Sequence, residues 1–280
     1  MIPLEEVQRK VEAFAALPDS ALADEARAVV DALLDALEAG VVRAAEPGAD
    51  GWRVNAWVKQ GILLAFRAGA VTASEPAGPL GFVDKDTLAP RRFGVGDGVR
   101  VVPGGTAVRR GAHLGTGVVV MPPAYVNVGA FVGEGSMIDS HALVGSCAQV
   151  GRRVHVSAGA MLGGVLEPSG ALPVIVEDEA LIGGNCGVYE GAIVSRRAVL
   201  GAGVILTGGV TLYDLVRKTT CRRTGDAPLR VPEAAVVVPG SRRLLDPFGE
   251  RFGLALQCPV IVKYRDERTD ARAALEEALR

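Results

Sequence analysis

The stretch VRRGAHLGTGVVVMPPAYVNVGAFVGEGSMIDSHALVGSCAQVGRRVHVSAGAML, residues 108–162, carries an aliphatic side chain at every sixth position: Val108, Leu114, Val120, Val126, Val132, Ile138, Val144, Val150, Val156 and Leu162. The beat breaks at a Pro/Gly-rich segment, residues 167–173, and resumes at Val176, Ile182, Val188, Val194, Leu200, Leu206 and Leu212. Four places after each aliphatic stands a mostly small residue, such as Ala112, Ala124, Ala130, Ser136, Ala142 and Cys186. A six-residue period matches neither a helix nor a single strand. It describes a short strand plus a turn repeated as one unit, and stacking such units buries a continuous core, as in a β-solenoid.

Working outward, Leu4, Val7, Val11 and Phe14 keep helical spacing up to Pro18. A second stripe, Ala26, Val29, Val30, Leu33, Leu34 and Leu37, runs from an Asp19/Ser20 cap to Gly40. After the Glu46-Pro47-Gly48 turn, Asn55 is placed to cap a third helix, AWVKQGILLAFR, whose Trp57, Ile62, Leu63 and Phe66 pack on the other two. Residues 71–99, rich in Gly, Pro and Asp, read as a connector. Beyond Asp214, residues 234–238 and 254–264 read as strands and 269–280 as a closing amphipathic helix. The expected organisation is a helical domain with its connector over 1–99, the solenoid over 100–216 with its inserted loop at about 167–173, and a C-terminal β/α cap over 217–280. Both flanks would shield the open strand edges of the solenoid ends.

Thirty basic against 32 acidic side chains leave a net charge of -2, without the basic stripe that nucleic acid requires. The dispersed cysteines Cys147, Cys186, Cys221 and Cys258 form no C-x-x-C pair and read as buried free thiols, not as a disulfide or zinc framework. The N-terminus MIPLEEVQRK lacks a basic region followed by an apolar run, and no uninterrupted apolar stretch is long enough to span a bilayer. A soluble, cytoplasmic protein is expected, with no membrane partner. No histidine pair has metal-ligand spacing and no Asp-rich nonapeptide binds calcium, so no metal is expected.

Hexads of this kind resemble those of the left-handed parallel β-helix acyltransferases, from which the left-handed coil is taken. The fold class expected is therefore mainly β, a left-handed parallel β-helix of hexapeptide repeats between a small N-terminal α-helical domain and the C-terminal cap. The strings RVVPGGTAVRRGA (100–112), MPPAYVNVGAF (121–131), MIDSHALVGSCAQVG (137–151) and GGVLEP (163–168) narrow the likeness. Together with WVKQGILLAFR and the C-terminal VIVK, they are similar to the tetrahydrodipicolinate N-succinyltransferases over nearly the whole chain. The resemblance implies succinyl transfer from succinyl-CoA, a co-substrate and not a tightly held cofactor, to the amine of hydrated tetrahydrodipicolinate, in lysine biosynthesis through diaminopimelate. It also implies a homotrimer with sites shared between chains and CoA laid along the groove between prisms.

Acyl transfer from a thioester to an amine needs a base, donors for the oxyanion and alignment of the reactants. Asp139 follows the inward Ile138, so strand alternation turns it outward, where a neighbouring chain would pack. A solvated turn aspartate is the competing reading, and the resemblance favours catalysis because Asp139 matches an aspartate of the family's substrate site. Glu190, in CGVYEGA, is the second carboxylate candidate. The resemblance implies a further glutamate at Gly187, which this chain lacks, so either Glu190 serves or Asp139 works alone. Arg100 matches a substrate-binding arginine, whereas Arg109 and Arg110 read as weaker candidates at solvated strand edges. His113, His141 and His155 read as turn or contact residues, with His141 able to border the site. The CoA-binding residues are not legible, and segment 167–173 is expected to act as a flap over the thioester. Two alternatives stay open: an N-acetyltransferase on the same or a related amine, and a noncatalytic solenoid scaffold. The mixed Gly, Asp, Arg and His at outward places lack the threonine ladders of an ice-binding solenoid.

Overall fold

In a computed structural model of the chain, residues 2–22, 24–49, 51–74, 81–225 and 227–266 are described. The amphipathic segment 269–280 lies outside them. From residue 100 onward, each hexad forms a two-residue strand, and the strands stack into three parallel faces of one prism. The first face holds Arg100–Val101, Val119–Val120, Met137–Ile138, His155–Val156, Leu181–Ile182 and Val199–Leu200. The second holds Ala107–Val108, Tyr125–Val126, Leu143–Val144, Met161–Leu162, Gly187–Val188 and Ile205–Leu206. The third holds His113–Leu114, Phe131–Val132, Gln149–Val150, Ile175–Val176, Ile193–Val194 and Arg230–Val231. Mainly β with parallel sheets, the architecture is the one the hexads imply.

Register explains why the beat is strict. Val120 pairs with Ile138, Ile138 with Val156, Val156 with Ile182 and Ile182 with Leu200, so one place of each hexad always points into the prism. Each such side chain is buried and stabilises by about 1.5–3 kcal/mol. The small residues four places on line the inner corners, where Ala112, Ala130, Ala148 and Ala198 are completely buried. Ser136 keeps a hydroxyl there because it is satisfied: its Oγ donates to Gly151 O at 2.8 Å and accepts from Val154 N at 2.9 Å.

Helices α1 (Leu4–Ala15), α2 (Asp24–Glu38) and α3 (Ala56–Ala68) pack on one another through Val7, Val11, Leu33, Leu34 and Ile62. Asn55 does not cap α3 with its side chain. Its amide instead donates to Arg43 O at 2.8 Å, tying the helix start to the preceding hairpin of Ala45–Gly48 and Gly51–Val54. This domain roofs the third face: Arg43 Nε donates to Gln149 Oε1 at 2.9 Å, Trp52 Nε1 to Glu177 Oε1 at 3.0 Å, and Ala45 packs on Ile175 and Ile193.

At the far end the β-helix runs past the expected boundary at 216. Leu212 is in phase with the hexads and fully buried, yet its strand, Leu212–Asp214, turns back on Thr219–Cys221 instead of joining the third face. The coil is completed by Arg230–Val231 beside Ile193–Val194 and by Ala235–Arg243 beside Val199–Leu200. Ala255–Tyr264 pairs antiparallel with Ala235–Arg243 and covers the end of the first face. The runs read as strands at 234–238 and 254–264 belong to this hairpin.

Candidate active site

Asp139 stands at the corner between the first and second faces, just after Met137–Ile138. Its backbone N–H bonds to Val156 O at 2.9 Å, and its Oδ1 accepts from Ser140 N at 2.7 Å. The carboxylate is thus held by its own turn, with Oδ2 3.8 Å from His155 Nε2 on the next coil. Arg100, exposed on the same face, lies two rungs from Met137 in the column that runs through Val119, about 10 Å between those two Cα atoms, with Asp139 two residues further along the chain. The outward turn of Asp139 follows from the inward Ile138, as alternation requires.

Glu190 occupies a different corner, between the second and third faces. Its backbone is left-handed, φ 54°, and its Oε2 accepts from Gly208 N at 2.7 Å on the next coil. It opens on a cleft of about 960 Å³, walled by Trp52, Tyr189, Arg223 and the backbone of Gly163 and Gly164, with residues of the 167–172 segment alongside. Seen along the coil, Asp139 and Glu190 are separated by the full width of the second face and by two rungs. Val144, in the coil of Asp139, pairs with Leu162, which pairs with Val188 just before Glu190. Within one chain the two carboxylates therefore cannot meet one small substrate.

Gly187 is where the resemblance implies a second glutamate, and the structure fills that place. A Cβ on Gly187 would fall 2.4 Å from Tyr189 Cε2, and one on Gly163 would fall 2.6 Å from Tyr189 Cδ1. The phenol ring rests on two bare glycines, so a side chain at 187 and the present Tyr189 rotamer exclude each other. Tyr189, Arg223 and Trp52 were not legible as cleft residues. The one signal was Gly163-Gly164, stacked beneath Tyr189-Glu190 once the pairing of Leu162 with Val188 sets the register.

The remaining candidates fall elsewhere. Arg109 pairs with Asp84, and Arg110 binds Asp31 at 2.7 Å and Asp35 at 3.0 Å, so these arginines anchor the N-terminal domain instead of standing as solvated edges. His113 is a strand residue stacked on Phe131 at 4.5 Å, and its Nδ1 donates to Glu38 O at 2.8 Å. Burial pushes its pKa down, keeping the imidazole neutral. His141 is exposed in a left-handed turn beside Asp139. Among the described residues, no group of three or more His, Cys, Asp or Glu is arranged to hold a metal, and no helix is long and apolar enough to cross a membrane.

The comparisons with known proteins bear on this geometry. Residues 5–68 match the model of the tetrahydrodipicolinate N-succinyltransferase N-terminal domain, and residues 173–208 match the hexapeptide repeat of succinyl-transferase. A 2,3,4,5-tetrahydropyridine-2,6-dicarboxylate N-succinyltransferase of Bradyrhizobium diazoefficiens is 43% identical over 264 residues, 91% of this chain and 90% of that one. The proteins of that name from Rhodospirillum rubrum and Xylella fastidiosa are 45% and 42% identical, over 91% and 95% of this chain and 89% and 93% of theirs. This chain belongs to the tetrahydrodipicolinate N-succinyltransferase family. A solved N-succinyltransferase from Campylobacter jejuni aligns with a TM-score of 0.42 at 17% identity, over 83% of this chain and 62% of that one. Within this family member, the N-terminal match spans the three helices and the hairpin that roof the third face. The hexapeptide match spans the coils that carry Tyr189 and Glu190.

Proposed function

We propose that the protein transfers the succinyl group of succinyl-CoA to the amine of hydrated tetrahydrodipicolinate, giving N-succinyl-2-amino-6-oxopimelate and CoA in the diaminopimelate route to lysine. The observation that carries this reading is the identity of about 43% with N-succinyltransferases of that substrate over some nine-tenths of the chain. In the reaction the thioester C–S bond breaks, a C–N bond forms, the attacking nitrogen loses a proton and the CoA sulfur leaves. Asp139 is the base we assign to that proton, because Ser140 N holds one carboxylate oxygen and the other, 3.8 Å from His155 Nε2, is not engaged by its own turn. Arg100 is assigned to a substrate carboxylate. Glu190 is assigned to the facing wall of the same site, supplied by a second chain.

We assign a homotrimer, because it can bring the two corners together. If the second face of each prism looks toward a three-fold axis, the Asp139 corner of one chain meets the Glu190 corner of the next. Three copies then make three equivalent sites. Supporting this, the outward column of the second face is apolar: Tyr125, Leu143, Met161 and Ile205, with Tyr125, Met161 and Ile205 each more than a third exposed. An exposed apolar row of this kind is a surface for a second copy. The four free cysteines support a reducing, cytoplasmic location. We place the division between helical part and β-helix near residue 99, and extend the β-helix beyond 216 to its last coil at 230–237, where the antiparallel cap takes over.

Donor choice is assigned to Arg223. Its Nη1 would lie 3.7 Å from a Cβ on Gly208, the residue whose N–H binds Glu190, so the guanidinium lines the cleft beside Glu190. Release of free CoA thiol should be faster with succinyl-CoA than with acetyl-CoA, and faster turnover of acetyl-CoA would overturn the reading in favour of an acetyltransferase. In Arg223→Ala the preference should shrink by roughly tenfold, through loss of succinyl-CoA kcat/KM alone, the worth of one solvent-accessible charge-assisted hydrogen bond. Equal losses with both donors would reject this role.

A further inference from the structure

Lys59, on the first turn of α3, is completely buried, the largest side chain among the described residues to be so. Its ammonium donates to one backbone oxygen, Ala171 O, at 2.5 Å. Its titratable neighbour is Cys147, a buried thiol that keeps its proton, with a pKa pushed up to about 12 by burial. Among the described residues no carboxylate is paired with it. A lone buried ammonium is costly, and an apolar side chain of equal length would fill the same space without that cost. Fold stability therefore gives no reason for a lysine here.

What the ammonium holds is informative. Ala171 belongs to the segment inserted between Met161–Leu162 and Ile175–Val176, and Glu167, Pro168, Gly170, Ala171 and Leu172 all line the Glu190 cleft. The segment is pressed onto the Glu190 turn from the other side as well. A Cβ on Gly191, which has φ +72°, would fall 2.6 Å from Leu172 O, so only glycine admits the segment at this height. Leu172, like Trp52, packs against the cluster of Ala45, Ile175 and Ile193, and Leu166 packs on the helical core. The roof of the cleft is thus fixed to the N-terminal domain by Lys59 and seated on the catalytic wall at Gly191.

We propose that Lys59 is a positioning residue that latches segment 163–173 over the acyl-donor cleft, coupling the N-terminal domain to succinyl-CoA binding. The proposal rests on the reading of the Glu190 cleft as the acyl-transfer site. Its test compares the wild-type protein with Lys59→Met and Lys59→Arg by hydrogen exchange of peptides covering 163–173, thermal melting and steady-state kinetics. Lys59→Met should melt at the same temperature or higher, while the amides of Val165 and Ala171, now bonded to Ser146 O and Pro168 O, exchange at least about tenfold faster. KM for succinyl-CoA should rise about tenfold with kcat changed less than about threefold, and Lys59→Arg, which keeps a cationic donor, should recover part of both effects. Unchanged exchange and KM in a folded Lys59→Met protein would overturn the latch. So would failure of that variant to fold, since it would make the lysine a fold determinant. Absence of acyl transfer by the wild type would reject the functional reading alone, because the exchange comparison needs no turnover.

Discussion

Asp139→Asn is expected to lower kcat by about 10²–10⁴-fold, the usual contribution of a positioned general base, with the melting temperature and assembly unchanged. The amide keeps the shape and can still accept from Ser140 N through its oxygen, so the turn that presents residue 139 survives. What is lost is the capacity to take a proton from the attacking nitrogen. The bond between Asp139 N and Val156 O belongs to the ladder and is indifferent to the substitution. KM for both substrates should move little, since the interaction removed is made chiefly in the transition state. A rate within a few-fold of the wild type would return Asp139 to the solvated turn aspartate that its position also permits.

Met161→Arg is expected to abolish assembly and activity together. Met161 stands mid-column on the second face, between Leu143 and Gly187, and the side chain is partly exposed in the isolated chain. In a closed ring, three copies of an arginine there would converge in an apolar interface, where unpaired charge is strongly disfavoured. Because the inward Leu162 and its neighbours are untouched, the prism itself should stay folded. Light scattering should report monomers, circular dichroism an unchanged fold, and turnover a loss of at least about 100-fold. A monomeric Met161→Arg protein with full activity would show that one chain holds a complete site.

How much of this was legible depends on the range of the interactions. The prism could be read from the sequence because each hexad repeats its own instructions, one inward aliphatic and one small corner residue, within six positions. Asp139 could be singled out for the same local reason, being one step past Ile138. The cleft could not. Tyr189 meets Gly163 only after the coils stack, and Arg223 arrives on the excursion between Ile205–Leu206 and Arg230–Val231, which carries no hexad signal. Arg109 and Arg110 look like edge charges until α2 and the Phe82–Lys85 strand bring Asp31, Asp35 and Asp84 to them. Asn55 has the side chain of a helix cap, and a tertiary partner, Arg43 O, takes that side chain away. The buried Lys59 was hidden in an amphipathic helix, where a lysine ordinarily marks the solvent side.

The central claim is that one site needs Asp139 from one chain and Glu190 from its neighbour, and subunit complementation tests it most directly. Asp139→Asn and Glu190→Gln proteins are each prepared, shown to have little activity, then dissociated, mixed in equal amounts and reassembled. About a quarter of the wild-type turnover should return, because random assembly into a closed ring pairs two intact carboxylates at one interface in four. If each site lay within one chain, every mixed trimer would contain only damaged sites. No recovery in reassembled trimers would contradict the shared site.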